Sequence, residues 1–172
     1  VDGTALVGNG LAAASTAGLT VGGSAVSGST INGSAVRDVF TVGAEGSAYN
    51  GNDGNDSITT TIAVLVADGV TDGTIDGGAD TDTLTISDTT VTLTDNHFTS
   101  VSNMETLALA STVGDASVTT GGAFNASFSG GVTITTGVLA VTKDAIIQAG
   151  LSNVDMTVAV DLTTATGTAV ET

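Results

Sequence analysis

The chain has no cysteine, no proline and no tryptophan, and only two basic residues, Arg37 and Lys143, among 172. Without cysteine, disulfides supply no stability, so a domain working outside the cell needs another tie, and a metal can be one. Without proline, no strand loses a ladder donor, which suits long runs of paired strands. Four Phe and one Tyr are poor material for an aromatic sugar-binding shelf. Two cations against 18 acidic residues, a net charge of −16, argue against nucleic acid and anionic membrane as partners, since both require a cationic footprint. No apolar run approaches the ~20 residues of a membrane helix, so no membrane insertion is expected.

Catalytic material is equally sparse. The single histidine, His97, sits in D-N-H-F with no recognisable nucleophile or orienting acid beside it. Glu105 and Asp155 each follow an apolar residue just before a strand. A paired-carboxylate glycosidase is set there against a simple capping or solvated acid, and the second reading is preferred. No enzyme is expected.

What remains is rich in Thr, Val, Ala, Gly and Ser, and it should fold: only 12% of residues are charged and mean hydropathy is +0.39. The length fits one domain or two small ones. From Gly33 the chain reads in nines, GSAVRDVFT, VGAEGSAYN and GNDGNDSIT, and after 17 further residues GGADTDTLT. Glycines at the first places permit positive φ, which Asn and Asp also tolerate, so several carbonyls can face one cation. A carboxylate at place six adds hard oxygen, which calcium prefers. The apolar residue at place eight points inward: Ile31, Phe40, Tyr49 and Ile58, then Leu84 and Leu93. If two nonapeptides make one turn of the chain, Asp38 and Asp56 stack on one edge and Asp82 continues it. The insertion Thr60 to Asp76 is one residue short of a further pair of nines, with Asp68, Gly69, Asp72 and Gly73 available for its opposite turn. The best calcium site lies between the loops Gly51 to Asp56 and Gly77 to Asp82, with Gly51, Asp53, Asn55, Asp56, Gly77, Asp80 and Asp82 as its residues; a weaker one joins Asp38 to Asp56.

These residues resemble the repeats-in-toxin calcium-binding nonapeptide family of secreted bacterial proteins, and their setting is most similar to bacterial surface-layer proteins that carry such repeats. The close match covers two nonapeptides, with degenerate copies over about a third of the chain. Asn52 replaces the second glycine, Asp80 the fourth-place glycine, and Ser47 stands where Asp is expected. The resemblance implies an all-β fold, a right-handed parallel β-solenoid (β-roll) with short helical turns. It also implies bound Ca2+, one or two ions rather than six, and folding coupled to export from low to high calcium.

Three segments are expected. Residues 1–23 form an N-terminal edge or docking segment, with a short helical turn at Leu11 to Ala17. Residues 24–94 form the calcium-binding β-roll, in which Ile58 to Ala67 is a buried strand turning at Asp68 to Gly73. Thr83/Thr85 and Thr92/Thr94, nine apart, look like the outer face of stacked strands. Residues 95–172 continue the β-solenoid. There Thr94 or Asp95 caps a helical turn with Phe98 and Val101 facing inward, and Met104 to Ala110 alternates. A weak 50-residue repeat relates Ser102–Glu105 to Ser152–Asp155, each preceded by a short helix, the second at Lys143 to Ala149, and followed by a strand, the second at Thr157 to Leu162. Strands are also read at S-V-T-T, A-S-F-S and V-T-I-T-T between Ser111 and Leu139.

The expected role is structural: a subunit of an extracellular, calcium-dependent layer or filament at the bacterial cell surface, forming a homo-oligomer or polymer. A start at Val1 and an uncapped end over Asp161 to Thr172 fit a chain processed or cut from something longer, or one that assembles. Two alternatives stand beside it: a threonine-faced solenoid that binds ice or a cell-surface glycan, and a calcium-binding fragment of a larger secreted enzyme or toxin.

Overall fold

A computed structural model describes residues 6–7, 18–22, 28–43, 45–65, 73–110, 115–137, 145–148, 155–159 and 169–171. The turn expected at 11–17 lies outside them, as does all but Gly73 of the turn expected at Asp68 to Gly73. In chain order the strands are β1 (Leu6–Val7), β2 (Thr20–Val21), β3 (Thr30–Asn32), β4 (Val39–Thr41), β5 (Ala48–Asn50) and β6 (Ser57–Thr60). Helix α1 (Ile62–Leu65) follows, then β7 (Thr74–Asp76), β8 (Thr83–Ile86), β9 (Val91–Leu93), a 3-10 turn (Asp95–Phe98), β10 (Val101–Ser102), β11 (Thr106–Leu109) and β12 (Ala116–Thr119). Helix α2 (Gly122–Ser127) precedes β13 (Val132–Thr135), β14 (Ala145–Gln148), β15 (Met156–Ala159) and β16 (Ala169–Glu171).

The protein is mostly β, and every strand pairing described is parallel. Three sheets form, in the orders β1-β3-β5-β7-β10, β15-β13-β11-β8-β6-β4-β2 and β16-β14-β12-β9. The seven-stranded sheet runs from β2 to β15, across both expected segment boundaries.

Strands this short hold because each alternates and aligns its inward residue with the next one's. Phe40, Ile58, Leu84, Leu107 and Ile134 are in register and fully buried. Ile31, Tyr49 and Ile75 form a second buried file, and Leu93 pairs with Val118 in a third. Each such residue withdraws its side chain from water, about 1.5–3 kcal/mol apiece before the entropy of ordering. Outward, the long sheet carries Ser57, Thr83, Thr106, Thr133 and Thr157 in one file and Thr41, Thr59, Thr85, Ala108, Thr135 and Ala159 in the next.

Five local expectations are corrected. The insertion after Thr60 lengthens a single step: Ile58 pairs directly with Leu84, so Asp56 and Asp82, 26 residues apart, are immediate neighbours. The strand from Ile58 ends at Thr60, and Ile62–Leu65 is one helical turn, because the Asp88 carboxylate accepts the Ile62 N–H at 2.7 Å and fixes a helical start. A-S-F-S falls in α2 and its exit, since Phe124 and Phe128, four apart, pack on Phe98 with centroids 5.0 and 5.9 Å away. Ala145–Gln148 is a strand paired with β12 where a helix was expected; its β-branched pair suits a ladder. Thr83/Thr85 and Thr92 also part company, since β8 and β9 belong to different sheets.

The 3-10 turn has Thr94 as N-cap, with Phe98 and Val101 buried beneath. His97 Nδ1 accepts the Thr94 N–H at 2.9 Å.

Candidate metal centre

Two six-residue loops follow β5 and β7 and lead into β6 and β8: Gly51 to Asp56 and Gly77 to Asp82. They lie side by side, with Asp53 and Ala79 in a parallel bridge. The Gly51 N–H donates to the Asp76 carbonyl at 2.9 Å and the Ala79 N–H to that of Asn52 at 2.7 Å. Side chains stitch the outer edge, where the Gly54 N–H meets Asp80 Oδ2 at 3.2 Å and the Thr81 N–H meets Asn55 Oδ1 at 3.1 Å.

The loops share one backbone path despite different sequences. Positive φ occurs at Asn52 (71°) and Gly54 (114°), and at the matching Gly78 (103°) and Asp80 (81°). Asn and Asp are the non-glycine residues that best tolerate this region, so the two departures from the glycine pattern keep the turn.

Behind the loops runs a file of acids, Asp38, Asp56, Asp82 and Glu105, each one residue before a strand of the long sheet. Each carboxylate accepts the backbone N–H of its neighbour: Asp38 N–H to Asp56 Oδ1 at 2.6 Å, Asp56 N–H to Asp82 Oδ1 at 2.8 Å, Asp82 N–H to Glu105 Oε2 at 2.8 Å. At the near end the Leu19 N–H donates to Asp38 Oδ1. Asp38, Asp56 and Asp82 are at most 2% exposed.

The file is not uniform. Asp38 is satisfied within the chain, because Oδ2 accepts the Ser34 N–H at 2.6 Å and Oδ1 accepts the Ser34 hydroxyl at 2.9 Å. Asp56 Oδ2 and Asp82 Oδ2 have no hydrogen-bond partner among the described residues. A buried carboxylate oxygen without a donor is costly, roughly 1–3 kcal/mol and more for a charged group. Burial first, then Asp38 and Asp82, pushes the Asp56 carboxyl up to about 6 against the pull of the Asp38 N–H and Arg37. Burial, with Glu105, Asp80 and Asp76 adding to it, pushes Asp82 up to about 6 against the Asp56 N–H.

Glycine is required opposite these oxygens. A Cβ on Gly51 would overlap the Gly77 carbonyl oxygen and Asp56 Oδ2; one on Gly77 would overlap the Asn103 carbonyl oxygen and lie 2.7 Å from Asp82 Oδ2. Carboxylate and carbonyl oxygens thus pack directly against these glycines, where any Cβ would collide, and the same contact recurs at Gly33 with Asp38 Oδ2 and the Gly51 carbonyl oxygen. A carboxylate with backbone carbonyls is a donor set that fits calcium. No three Asp, Glu, His or Cys side chains are placed to hold one metal ion among the described residues, so a cation here would depend on carbonyls and water as well.

The structure therefore brings Gly51, Asp56, Gly77 and Asp82 together, and places Asp53, Asn55 and Asp80 on the exposed rim of the same loops. Asp38 stands in the file but turns both oxygens to the protein, so the weaker Asp38–Asp56 site has one open carboxylate rather than two. Sequence reasoning missed Glu105 and Asn103. Glu105 holds the fourth place in the file although no glycine motif precedes it; its position directly before β11, as Asp82 stands before β8, was the available signal. No family model, curated protein or solved structure matches the chain.

Proposed function

We propose that the chain is a right-handed parallel β-solenoid tied by calcium, serving as a structural segment of an extracellular layer or filament at a bacterial surface. What carries this reading is the pair of stacked loops with a glycine, a carbonyl and a buried unpartnered carboxylate oxygen meeting in one place. The parallel pairings from sheet to sheet suit a solenoid, and right-handed connection is the rule for parallel strands. At low calcium the buried carboxylates oppose folding; outside the cell the ion neutralises them and its binding energy becomes folding energy. Among the described residues no helix is long and apolar enough to cross a membrane. Self-association into a polymer belongs to the proposal.

Size by light scattering together with circular dichroism, with millimolar calcium and then excess chelator, tests it. Strand signal and large assemblies that appear only with calcium support the reading. A protein that stays folded and monomeric in both conditions overturns it.

A second reading has its own observation. The outward threonine files of the long sheet contain no charged residue in a chain of net charge −16. Such a face suits a hydroxyl-rich partner, ice or a surface glycan. Loss of binding to either on Thr85→Leu, with folding intact, favours this alternative; unchanged binding removes it.

A further inference from the structure

We infer that Asn50–Gly51 is a site of spontaneous deamidation which the folded ladder holds off, with Asn32–Gly33 as its counterpart one strand step earlier. The inference requires no ion in the loops. An asparagine before glycine loses its amide when the glycine nitrogen attacks the side-chain carbonyl carbon. The new C–N bond closes a cyclic imide, and the amide nitrogen leaves as ammonia, taking the proton that the backbone nitrogen gives up. One water then opens the ring to aspartate or isoaspartate.

The fold itself dictates these dipeptides. Asn32, Asn50 and Asp76 end β3, β5 and β7 at one register position, and a glycine follows each. That glycine is obligatory, because a Cβ on Gly33, Gly51 or Gly77 would overlap the carbonyl oxygen of Gly51, Gly77 or Asn103 in turn. It also leaves its own nitrogen unscreened by any side chain. At Asn50 the amide is in position as well. Its Oδ1 accepts the Asn52 N–H at 3.1 Å, an Asx turn that folds the side chain back over Gly51. Asn50 is only half-buried, so water can reach it.

What the folded state withholds is the nucleophile. The Gly51 N–H donates to the Asp76 carbonyl at 2.9 Å and the Gly33 N–H to the Asn50 carbonyl at 2.7 Å. A nitrogen whose proton is held in the ladder must leave it before it can attack. Reaction therefore waits on local opening of the strand end. Neither product fits back as well as asparagine. Aspartate at 50 would stand on the strand next to Asp76, in the same register, and the two like charges repel. Isoaspartate inserts a methylene into the backbone immediately before Gly51, which already packs against the Gly77 carbonyl oxygen and Asp56 Oδ2. The modification thus marks chains that have spent time open and hinders their closing again.

Fragmentation mass spectrometry of the 172-residue chain places each amide-to-acid mass gain on its residue. One sample is held in mildly alkaline buffer with calcium, its fold confirmed by circular dichroism, and a second in the same buffer with urea. Asn50 and Asn32 should react in urea, and about tenfold or more slowly in the folded chain, as opening of a core-packed strand end demands. Asn52, Asn55 and Asn103, none followed by glycine, are internal references and should lag in urea. No gain at Asn50 in urea overturns the site, and equal rates in the two samples overturn its protection by the ladder. Asn50→Asp, the product made directly, should lower the urea midpoint of unfolding. A midpoint equal to the parent's overturns the cost assigned to the reaction.

Discussion

The Asp56 backbone N–H donates to Oδ1 of Asp82 across 2.8 Å, so one carboxylate splints two neighbouring strand entries while its other oxygen stays open. The two roles can be separated. Asp82→Asn keeps an acceptor for the Asp56 N–H, and Asp82→Ala leaves that buried N–H orphaned. In chelator, Asp82→Ala should be less stable than Asp82→Asn by about 1–3 kcal/mol, read as a shift in urea midpoint at constant slope. Equal midpoints would mean that the splint contributes nothing.

The same carboxyls set a pH dependence in the absence of calcium. Asp56 and Asp82 titrate near 6 in the folded chain, against about 3.9 for an unfolded Asp. Between those values the folded state holds more protons, so stability falls as pH rises. The contribution is fully present below about pH 4 and is lost as pH climbs through about 6. Denaturation in chelator should therefore give a more stable protein at pH 5 than at pH 7.5. The double variant Asp56→Asn/Asp82→Asn should flatten that slope. A parent chain no less stable at pH 7.5 would contradict the burial of these groups.

Glycine substitutions divide the molecule by position. Gly51→Ala drives a methyl into the Gly77 carbonyl and Asp56 Oδ2, where backbone must shift on both sides, while an added Cβ at Gly130 meets nothing within 4 Å. Gly51→Ala should cost more than about 3 kcal/mol, and Gly130→Ala should stay within roughly 0.5 kcal/mol of the parent. Thermal melts in calcium would show it, and similar melting temperatures for the two would refute the close packing of the loops.

Much of this was legible in the sequence because inward position and loop chemistry repeat together. Ile31, Phe40, Tyr49, Ile58, Leu84 and Leu93 were all read as inward from their spacing, and all are buried. The regularity fails where partners come from a distance. Nothing local to Ile62 announces a helix; the Asp88 carboxylate that starts α1 stands 26 residues later. Phe124 and Phe128 did carry a helical spacing, but the surrounding Ser and Gly read as strand punctuation. Glu105 was legible only as an acid before a strand, and its place in the file depends on a step of 23 residues where the earlier ones are 18 and 26. Three unequal steps cannot be aligned without knowing which residues pair.

Helix α2 gives the last prediction, since its start is capped from outside its own sequence. Gly121 occupies the N-cap and has no side chain to offer. Instead the Asp95 carboxylate, at the start of the 3-10 turn, accepts the Phe124 N–H at 2.8 Å and the Ala123 N–H at 3.2 Å. A Cβ on Gly121 would press into that carboxylate, so glycine at the cap is what lets the distant acid in. Asp95→Ala should cost about 0.5–2 kcal/mol, the ordinary worth of a side-chain cap. Asp95→Asn, which keeps an acceptor, should recover most of it. Because the cap lies in α2 and the 3-10 turn, away from the glycine-aspartate loops, the loss should be the same in calcium and in chelator. A loss confined to chelator would place Asp95 in the metal-dependent part of the fold instead.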